Sequence, residues 1–353
     1  MRINTKDVKL WFIFAQQGWG NGQKLHNKQG AAMTVCILGA GAFGTALAIA
    51  LSETNDIRLW GRNAEEMAKV EATRNNSKLP GPVLGASIKI TSDSQTAIQG
   101  ADFILSAVPL QSTHTTLKSL VGYFEGQPLI GCSKGVDLTT GQGGYSILKT
   151  SYPGRPIGLL TGPSFAADIA RGLPTALTLA SEDRQAVGNW QAQLSNDTLR
   201  LYVSHDPIGA ELGAALKNVI AIACGATIGA GLGESARAAL ITRGQAEIMR
   251  YATQRGARPE TLAGLSGFGD LCLTCTSDKS RNYRYGHALG QGKAFDPAIT
   301  IEGKATALAL VPIMQRLNID MPITKAVADL CSGTVTVSQA LAALMARPLR
   351  RES

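Results

Sequence analysis

A glycine-rich turn near the start of the chain constrains its fold more than any other feature. The stretch VCILGAGAFGTALAIALSE, residues 35–53, passes from an apolar β-like run through three glycines into an alanine-rich helical pattern. Gly39, Gly41 and Gly44 stand at the spacing G-x-G-x-x-G. In a strand–turn–helix unit the first glycine allows a tight turn, the second leaves room for a pyrophosphate, and the third lets the helix approach the strand. Because the helix start also offers free amides and the positive end of its dipole, the pattern predicts dinucleotide binding.

Short apolar runs alternate with helical patterns after this turn, and the alternation predicts a parallel sheet with helices on both faces. The predicted strands are residues 35–38, 57–60, 103–107, 128–132, 157–160 and 175–180, and the predicted helices include residues 45–52, 64–73 and 112–120. From about residue 207 the pattern becomes helical, for example over 305–317 and 337–346. We therefore predict an α/β Rossmann-like domain with a mostly parallel sheet over residues 33–210. An all-α domain is predicted over residues 211–353.

The first 32 residues do not share this pattern. They show no sustained periodicity, and their apolar part, residues 10–15, is too short for a signal-peptide core or a membrane span. Met33 stands directly before the first predicted strand. We expect residues 1–32 to be an extension that is disordered or lies upstream of a biological start at Met33.

Charge and cysteine content narrow the classes of protein that this chain can represent. Five basic residues and one acidic residue lie within residues 1–32, so this segment carries half of the formal net charge of +8. The remaining charge is mild and forms no basic run, which argues against nucleic acid and suits a small anionic ligand. The six cysteines favour a reduced, cytoplasmic protein without membrane insertion. Cys272 and Cys275 form a lone CxxC with no second pair, so no metal site is expected.

The residue after the second predicted strand bears on the choice of cofactor. An acidic residue there pairs with the ribose 2′-hydroxyl of NAD, but the stretch RLWGRN supplies Arg62. A guanidinium can pair bidentately with the 2′-phosphate of NADP. The alternative is that Arg62 is a solvated loop residue. NADP(H) is therefore the preferred cofactor, and NAD(H) stays open.

A lysine in an apolar helical pattern is the most informative residue of the second half. No charged residue lies three or four positions from Lys217, so no helical ion pair offsets its desolvation. Either it is an acid–base group whose pKa burial lowers, or it reaches solvent or a partner on another element. Asp270 lies between apolar residues and is the natural partner.

Further polar residues are predicted to gather at the carboxyl edge of the sheet. Lys134 ends one predicted strand, and Gly162 and Ser164 follow the next one along the chain. Ligands of open α/β sheets bind at this edge. In the second half, Ser280, Arg281 and Asn282 offer a helix start that can receive a phosphate, although capping alone would explain the serine.

Taken together, these stretches resemble the bacterial NAD(P)-dependent glycerol-3-phosphate dehydrogenases. The likeness runs in order from Met33 through GAGAFGTALA, LWGRN, SAVP, SKG, TGPSFAADIARGLPTA, ELGAALKNVIAIACG, GFGDLCLTCTSDKSRNYRYG and TIEG. It implies interconversion of dihydroxyacetone phosphate, a phosphorylated triose, and sn-glycerol 3-phosphate by hydride transfer with NAD(P)H. It further implies a supply of glycerol phosphate for phospholipid synthesis and is compatible with a homodimer.

The resemblance also implies roles for individual positions. Lys217 matches the catalytic lysine and Asp270 the aspartate of the substrate site. Substrate contacts are implied for Lys134, Gly162, Ser164, Lys217, Asp270, Ser280, Arg281 and Asn282. Cofactor contacts are implied for Gly39, Gly41, Ala42, Phe43, Gly44, Arg62, Lys134, Ala166, Arg281, Thr300 and Glu302. Ala42 and Phe43 depart from the serine and Trp or Tyr frequent in the family, so a hydroxyl contact from the first side chain is lost.

Two other functions remain open on the sequence. A related two-domain dehydrogenase acting on a β-hydroxyacid or ketopantoate also uses a buried lysine, but its substrate ends in a carboxylate. A non-catalytic protein that senses NADP through the Rossmann-like half would have no use for Lys217 and Asp270 in apolar surroundings.

Overall fold

A computed structural model describes residues 32–346 of the chain. These residues form one eight-stranded sheet and fifteen α-helices. The strands are β1 Thr34–Leu38, β2 Asp56–Trp60, β3 Lys89–Thr91, β4 Phe103–Ser106, β5 Leu129–Gly131, β6 Ile157–Thr161, β7 Thr175–Ala180 and β8 Leu199–Ser204. The helices of the first half are α1 Ala42–Leu51, α2 Ala64–Thr73, α3 Ser94–Ile98, α4 Leu110–Leu120, α5 Gly144–Ser151, α6 Ala166–Ala170 and α7 Arg184–Leu194. Those of the second half are α8 Pro207–Gly229, α9 Glu234–Gln254, α10 Pro259–Ala263, α11 Asp270–Cys275, α12 Arg281–Gly290, α13 Glu302–Arg316, α14 Pro322–Ser332 and α15 Val337–Met345. Apart from residue 32, the predicted extension lies outside the described residues.

The order of the strands confirms the predicted α/β class. Across the sheet the strands run β3-β2-β1-β4-β5-β6-β7-β8, and every neighbouring pair is parallel except β6 with β7. Strands β2 and β3 are added on one side of β1, and β4 to β8 are added on its other side. The strand order therefore reverses between β1 and β4, and open sheets of this kind bind ligands at such a switch point. The six predicted strands are present, and β3 and β8 are two that the prediction omitted.

Both faces of the sheet are covered by helices, as its apolar strands require. In β1, Val35 and Ile37 belong to one apolar cluster, whereas Cys36 and Leu38 belong to another. Successive side chains of a strand point to opposite faces, so these two clusters lie on the two sides of the sheet. Helices α1, α2 and α7 contribute to the first cluster, and α3, α4 and α5 contribute to the second.

The second half of the described chain is helical and is organised around α8. Asp206 caps this helix by accepting a hydrogen bond from the Gly209 amide at 2.8 Å, and Pro207 occupies its first position. Its side chains are buried nearly all round by α9, α11, α12 and α13. By length and apolar composition alone α8 could span a membrane, although 83% of its most apolar window is buried inside the protein. The predicted domain boundary at residues 210/211 falls inside the first turns of α8, while the last strand ends at Ser204.

Candidate active site

The glycine turn at the end of β1 has the backbone geometry that its sequence predicts. Gly39 has φ of +115°, and a Cβ on it would lie 2.9 Å from the backbone carbonyl carbon of Ala107. A Cβ on Gly44 would lie 2.0 Å from the Gly39 carbonyl oxygen, so this glycine brings α1 against the turn. Gly41 differs, because nothing among residues 32–346 lies within 4 Å of the position that its Cβ would take. No side chain of the described part of the chain caps the α1 N-terminus, so its amides and open space fit a pyrophosphate.

Three further residues of the predicted cofactor site surround this turn. Ala42 and Phe43 are the first residues of α1, and Ala166 begins α6, which packs against α1. Arg62 lies exposed just beyond β2 and has no hydrogen-bond or ion-pair partner among residues 32–346. Its guanidinium is therefore free to pair with a phosphate.

A cluster of three charged side chains, two of them buried and Lys134 partly buried, joins the two halves of the chain. Lys217, on α8, is 5% exposed, and Asp270, the first residue of α11, is fully buried. The Lys217 ammonium donates hydrogen bonds to Asp270 Oδ1 and, at 2.7 Å, to Thr274 Oγ1. Lys134 donates to the other carboxylate oxygen, Asp270 Oδ2, at 2.7 Å and to the Gly162 carbonyl oxygen at 2.8 Å. We call these three charged residues, Lys134, Lys217 and Asp270, the charge cluster.

The sheet positions this cluster near the glycine turn. Gly39 follows β1, Lys134 follows β5 and Gly162 follows β6, so all three lie beyond carboxyl ends of parallel strands. Only β4 separates β1 from β5, which places Lys134 about 10 Å across the sheet from the turn at about 4.8 Å per strand. This separation is short enough for one dinucleotide to reach from the turn to the charge cluster.

Burial changes the acid–base chemistry of Lys217. Desolvation lowers its pKa from 10.5 to about 8, and the positive charge of Lys134 acts in the same direction. The negative charge of Asp270 opposes this shift and keeps the pKa from falling further. The amine can therefore hold or release a proton close to neutral pH, as a general acid or base must.

A second polar group lies directly beside Lys217. The next residue, Asn218, is buried and donates to Glu302 Oε2 at 3.3 Å, and Arg281 approaches Glu302 Oε1 at 3.5 Å. Asn282 Oδ1 accepts the Gly303 amide hydrogen at 2.9 Å. A Cβ on Gly303 would lie 2.4 Å from the Asn218 carbonyl oxygen, so α8, α12 and α13 meet closely here.

The other predicted site residues are placed less directly. Ser280 caps α12 by accepting from the Tyr283 amide at 3.2 Å, so capping, the alternative considered for this serine, is observed. Ser164 is half-buried and donates to the Gly162 carbonyl oxygen at 3.3 Å. Thr300 is exposed in the segment before α13. The catalytic and binding roles of all these residues stay predictions.

Two family models match almost the whole described chain. One, described as the N-terminus of NAD-dependent glycerol-3-phosphate dehydrogenase, matches residues 34–187, and the other, the C-terminus of the same enzyme, matches residues 206–342. The chain belongs to this dehydrogenase family. The first matched segment covers strands β1–β7, and the second covers the helical second half from the cap of α8.

Individual dehydrogenases support the same assignment. The glycerol-3-phosphate dehydrogenase (NAD(P)+) of Roseobacter denitrificans is 54% identical over 321 residues, which cover 91% of this chain and 100% of that protein. The enzyme of the same name from Cereibacter sphaeroides is 53% identical over 316 residues, or 90% of this chain and 99% of that one. The crystal structure of glycerol-3-phosphate dehydrogenase from Coxiella burnetii superposes with a TM-score of 0.83 at 33% identity, covering 90% of this chain and 99% of that one.

More distant dehydrogenases share only the fold. A ketopantoate reductase from Ralstonia eutropha has 17% identity and a TM-score of 0.57, covering 88% of this chain and 100% of that one. For the alternative of a ketopantoate-type enzyme, this likeness shows a shared fold alone.

Sequence reasoning missed two residues that contact the predicted site. Thr274 Oγ1 accepts from Lys217 and donates to the Asp270 carbonyl oxygen at 2.7 Å, so it fixes the amine relative to α11. Asn76, in the segment between α2 and β3, binds the glycine turn with its side chain. The spacing of Thr274 four residues after Asp270, on one helix face, could have indicated the first; no local signal indicates the second.

Proposed function

We propose that this protein is an NAD(P)-dependent glycerol-3-phosphate dehydrogenase that interconverts dihydroxyacetone phosphate and sn-glycerol 3-phosphate. The observation that carries the proposal is the charge cluster, in which a buried amine of lowered pKa lies at the same sheet edge as the glycine turn. Such an amine suits proton transfer to a carbonyl oxygen, and family membership supplies the substrate class.

Lys217 is the proposed acid–base residue. A bound nicotinamide cofactor supplies the hydride to C2 in the reducing direction. Lys217, in its ammonium form, donates a proton to the carbonyl oxygen, and the neutral amine takes the hydroxyl proton in the reverse direction. Asp270 orients Lys217 and compensates the charges of buried Lys217 and partly buried Lys134, while Thr274 fixes the amine from a second side.

We propose that the cofactor binds along the glycine turn, with NADP(H) preferred and NAD(H) accepted. The amides at the start of α1 and the space at Gly41 suit the pyrophosphate, and Arg62, which has no partner within residues 32–346, suits a 2′-phosphate. The remaining cofactor contacts proposed are Gly39, Ala42, Phe43, Gly44, Lys134, Ala166, Arg281, Thr300 and Glu302.

The substrate is proposed to bind between the two halves. Its phosphate is assigned to cations and donors around the charge cluster, and remote phosphate contacts orient a small substrate for reaction. The proposed contacts are Lys134, Gly162, Ser164, Lys217, Asp270, Ser280, Arg281 and Asn282.

Several expectations about the whole protein are part of this proposal. Residues 33–210 form the dinucleotide-binding domain, and residues 211–353 form the domain that carries the substrate and catalytic groups. The enzyme works in the cytoplasm without inserting into a membrane, as a homodimer, and supplies glycerol phosphate for phospholipid synthesis. It uses no metal ion and no nucleic acid.

Initial rates with dihydroxyacetone phosphate, measured with NADPH and NADH in parallel, test the function. We expect oxidation of reduced nicotinamide with both cofactors, faster with NADPH at low concentration. Ketopantoate and β-hydroxyacids serve as competing substrates. Turnover of these in place of the triose would identify the related dehydrogenase, and tight NADPH binding without turnover of any substrate would identify a sensor.

A further inference from the structure

We propose that Asn76 is a positioning residue for cofactor binding, because its side chain sets the direction of the backbone amide that meets the pyrophosphate. The proposal rests on the cofactor site assigned above. It concerns a residue that lies outside the glycine motif and contacts neither the predicted substrate site nor the charge cluster.

The side-chain amide nitrogen of Asn76 bonds to the glycine turn and to the helix that follows it. Its Nδ2 donates to the Ala40 carbonyl oxygen at 3.0 Å and to Thr45 Oγ1 at 2.7 Å. Its Oδ1 accepts the Lys78 amide hydrogen at 3.0 Å, which fixes the orientation of the carboxamide. Asn76 and Thr45 are both almost completely buried, so no water competes for these bonds.

Holding the Ala40 carbonyl oxygen determines where the next amide points. The Ala40–Gly41 peptide is trans, and in a trans peptide the C=O and the N–H point in opposite directions. Because Asn76 holds the oxygen towards the protein interior, the Gly41 N–H is directed away from Asn76. This is the amide of the glycine whose Cβ position is open and which precedes α1.

A glycine turn needs such external support more than other loops do. Glycine populates more backbone conformations than any other residue, so an unrestrained turn would lose conformational entropy when it binds a ligand. A hydrogen bond formed before the ligand arrives removes part of that cost from the binding step. Asn76 therefore acts on cofactor affinity and leaves the proton chemistry at Lys217 unchanged.

Two matched pairs of variants test the proposal in the full-length protein. Asn76→Asp keeps the size of the side chain but replaces the donor to Ala40 with an oxygen, and Asn76→Ala removes the donor without adding charge. Asn75→Asp and Asn75→Ala make the same changes at the exposed neighbouring residue, whose side chain donates to the Thr73 carbonyl oxygen. The ligands are NADPH and 2′-AMP, which carries the adenosine and 2′-phosphate without the pyrophosphate.

We expect both Asn76 variants to weaken NADPH binding about tenfold or more, as the loss of a buried hydrogen bond would. Their affinity for 2′-AMP, their kcat at saturating NADPH and their KM for dihydroxyacetone phosphate should stay within about twofold of the parent protein, because positioning is confined to the pyrophosphate amide. Both Asn75 variants should match the parent in every measurement.

Three results would overturn the proposal. These are NADPH affinity unchanged in the Asn76 variants that fold, equal weakening of NADPH and 2′-AMP, or a fall in kcat with NADPH affinity intact. Asn76→Ala keeps the test available if the buried carboxylate of Asn76→Asp prevents folding, and melting temperatures show which variants fold. Since binding is measured directly, absence of triose turnover in the parent protein would count against the proposed function and leave this test intact.

Discussion

The glycine turn and the charge cluster lie at the same edge of the sheet, yet they are built by opposite means. The turn works through absent side chains, and its three glycines lie within six consecutive residues, 39–44, with Asn76 bonded to it from a distant segment. The charge cluster works through three long or charged side chains that come from residues 134, 217 and 270. A backbone site can be formed locally, whereas buried charges require several elements to meet and to compensate one another.

The largest difference between the two regions should appear on removal of Lys217. We expect Lys217→Met to lower kcat for triose reduction about 10²- to 10⁴-fold, the usual contribution of a general acid. NADPH affinity should stay within about twofold, because the turn does not depend on this side chain. Steady-state rates and fluorescence titration of NADPH measure the two effects. Lys149→Met, at an exposed lysine paired with Glu182, is the control, and near-normal turnover of Lys217→Met would remove the proposed mechanism.

Two glycines of the turn should respond differently to the same change. Gly44→Ala gains about 1 kcal/mol of helix propensity, but its Cβ would lie 2.0 Å from the Gly39 oxygen, so we expect a net loss of stability. In Gly41→Ala the new Cβ meets no atom of residues 32–346 within 4 Å, so this variant should melt closer to the parent protein. It should bind NADPH about tenfold more weakly, as one lost hydrogen bond to a charged group implies. Calorimetry and titration separate the two variants. Equal melting temperatures with equal affinities would contradict the roles assigned to these glycines.

The charge cluster should give the reaction a pH dependence that the turn lacks. Reduction needs the protonated form of Lys217, whose pKa is lowered to about 8, so kcat should fall about tenfold per pH unit above that value. Oxidation needs the neutral amine, so kcat for oxidation should fall as the pH drops below the pKa of Lys217. In Asp270→Asn the opposing charge is lost, so the reduction limb should begin at lower pH. Rates of reduction that stay level up to the unperturbed lysine pKa of 10.5 would show that Lys217 is not the acid.

Arg62 tests the outer end of the cofactor site. Because its guanidinium has no partner among residues 32–346, Arg62→Ala should leave stability unchanged. We expect NADPH affinity to fall about tenfold, as for one lost charge-assisted bond, and NADH affinity to hold. The ratio of kcat/KM for the two cofactors is the measurement. A parallel fall with both cofactors would assign Arg62 to a general electrostatic role.

The smallest effect is expected at a largely solvent-exposed ion pair between the two halves of the chain. Lys279, just before Ser280, donates to both carboxylate oxygens of Asp168 at 2.8 and 2.9 Å, and its side chain is 51% exposed. Exposed pairs contribute little, so Lys279→Met should change kcat/KM by less than about fivefold. Lys325→Met, which removes an exposed pair within α14, is the matched control. A larger loss, absent from the control, would make this pair part of the site.

The parts of the fold that sequence could predict are those encoded by contiguous patterns. The glycine turn and the buried parallel strands are of this kind. Strand β3 has three residues and lies at one edge of the sheet, and β8, at the other edge, reads LRLYVS, with polar residues interrupting its apolar pattern. A three-residue strand and a strand with polar residues at alternate positions carry less apolar signal than the central strands, so the prediction omits both.

Within the site, the same distinction holds. The isolation of Lys217 and Asp270 among apolar residues was visible in the sequence, because a buried charge needs a partner wherever that partner lies. Asn76 could not be singled out, since its contacts with Ala40 and Thr45 bridge residues 36 and 31 positions apart and depend on where the loop returns. Tertiary contacts of neutral polar groups leave no such trace in local composition.

The order of elements along the chain has a consequence for synthesis. Helix α8 follows all eight strands, so the sheet can form before this membrane-length apolar segment leaves the ribosome. Its other partners, helices α9 and α11–α13, are translated only afterwards. A chain that stopped at residue 229 would expose α8 on several sides and would be a substrate for chaperones and proteases. It would also lack Asp270, so no shorter active enzyme would result.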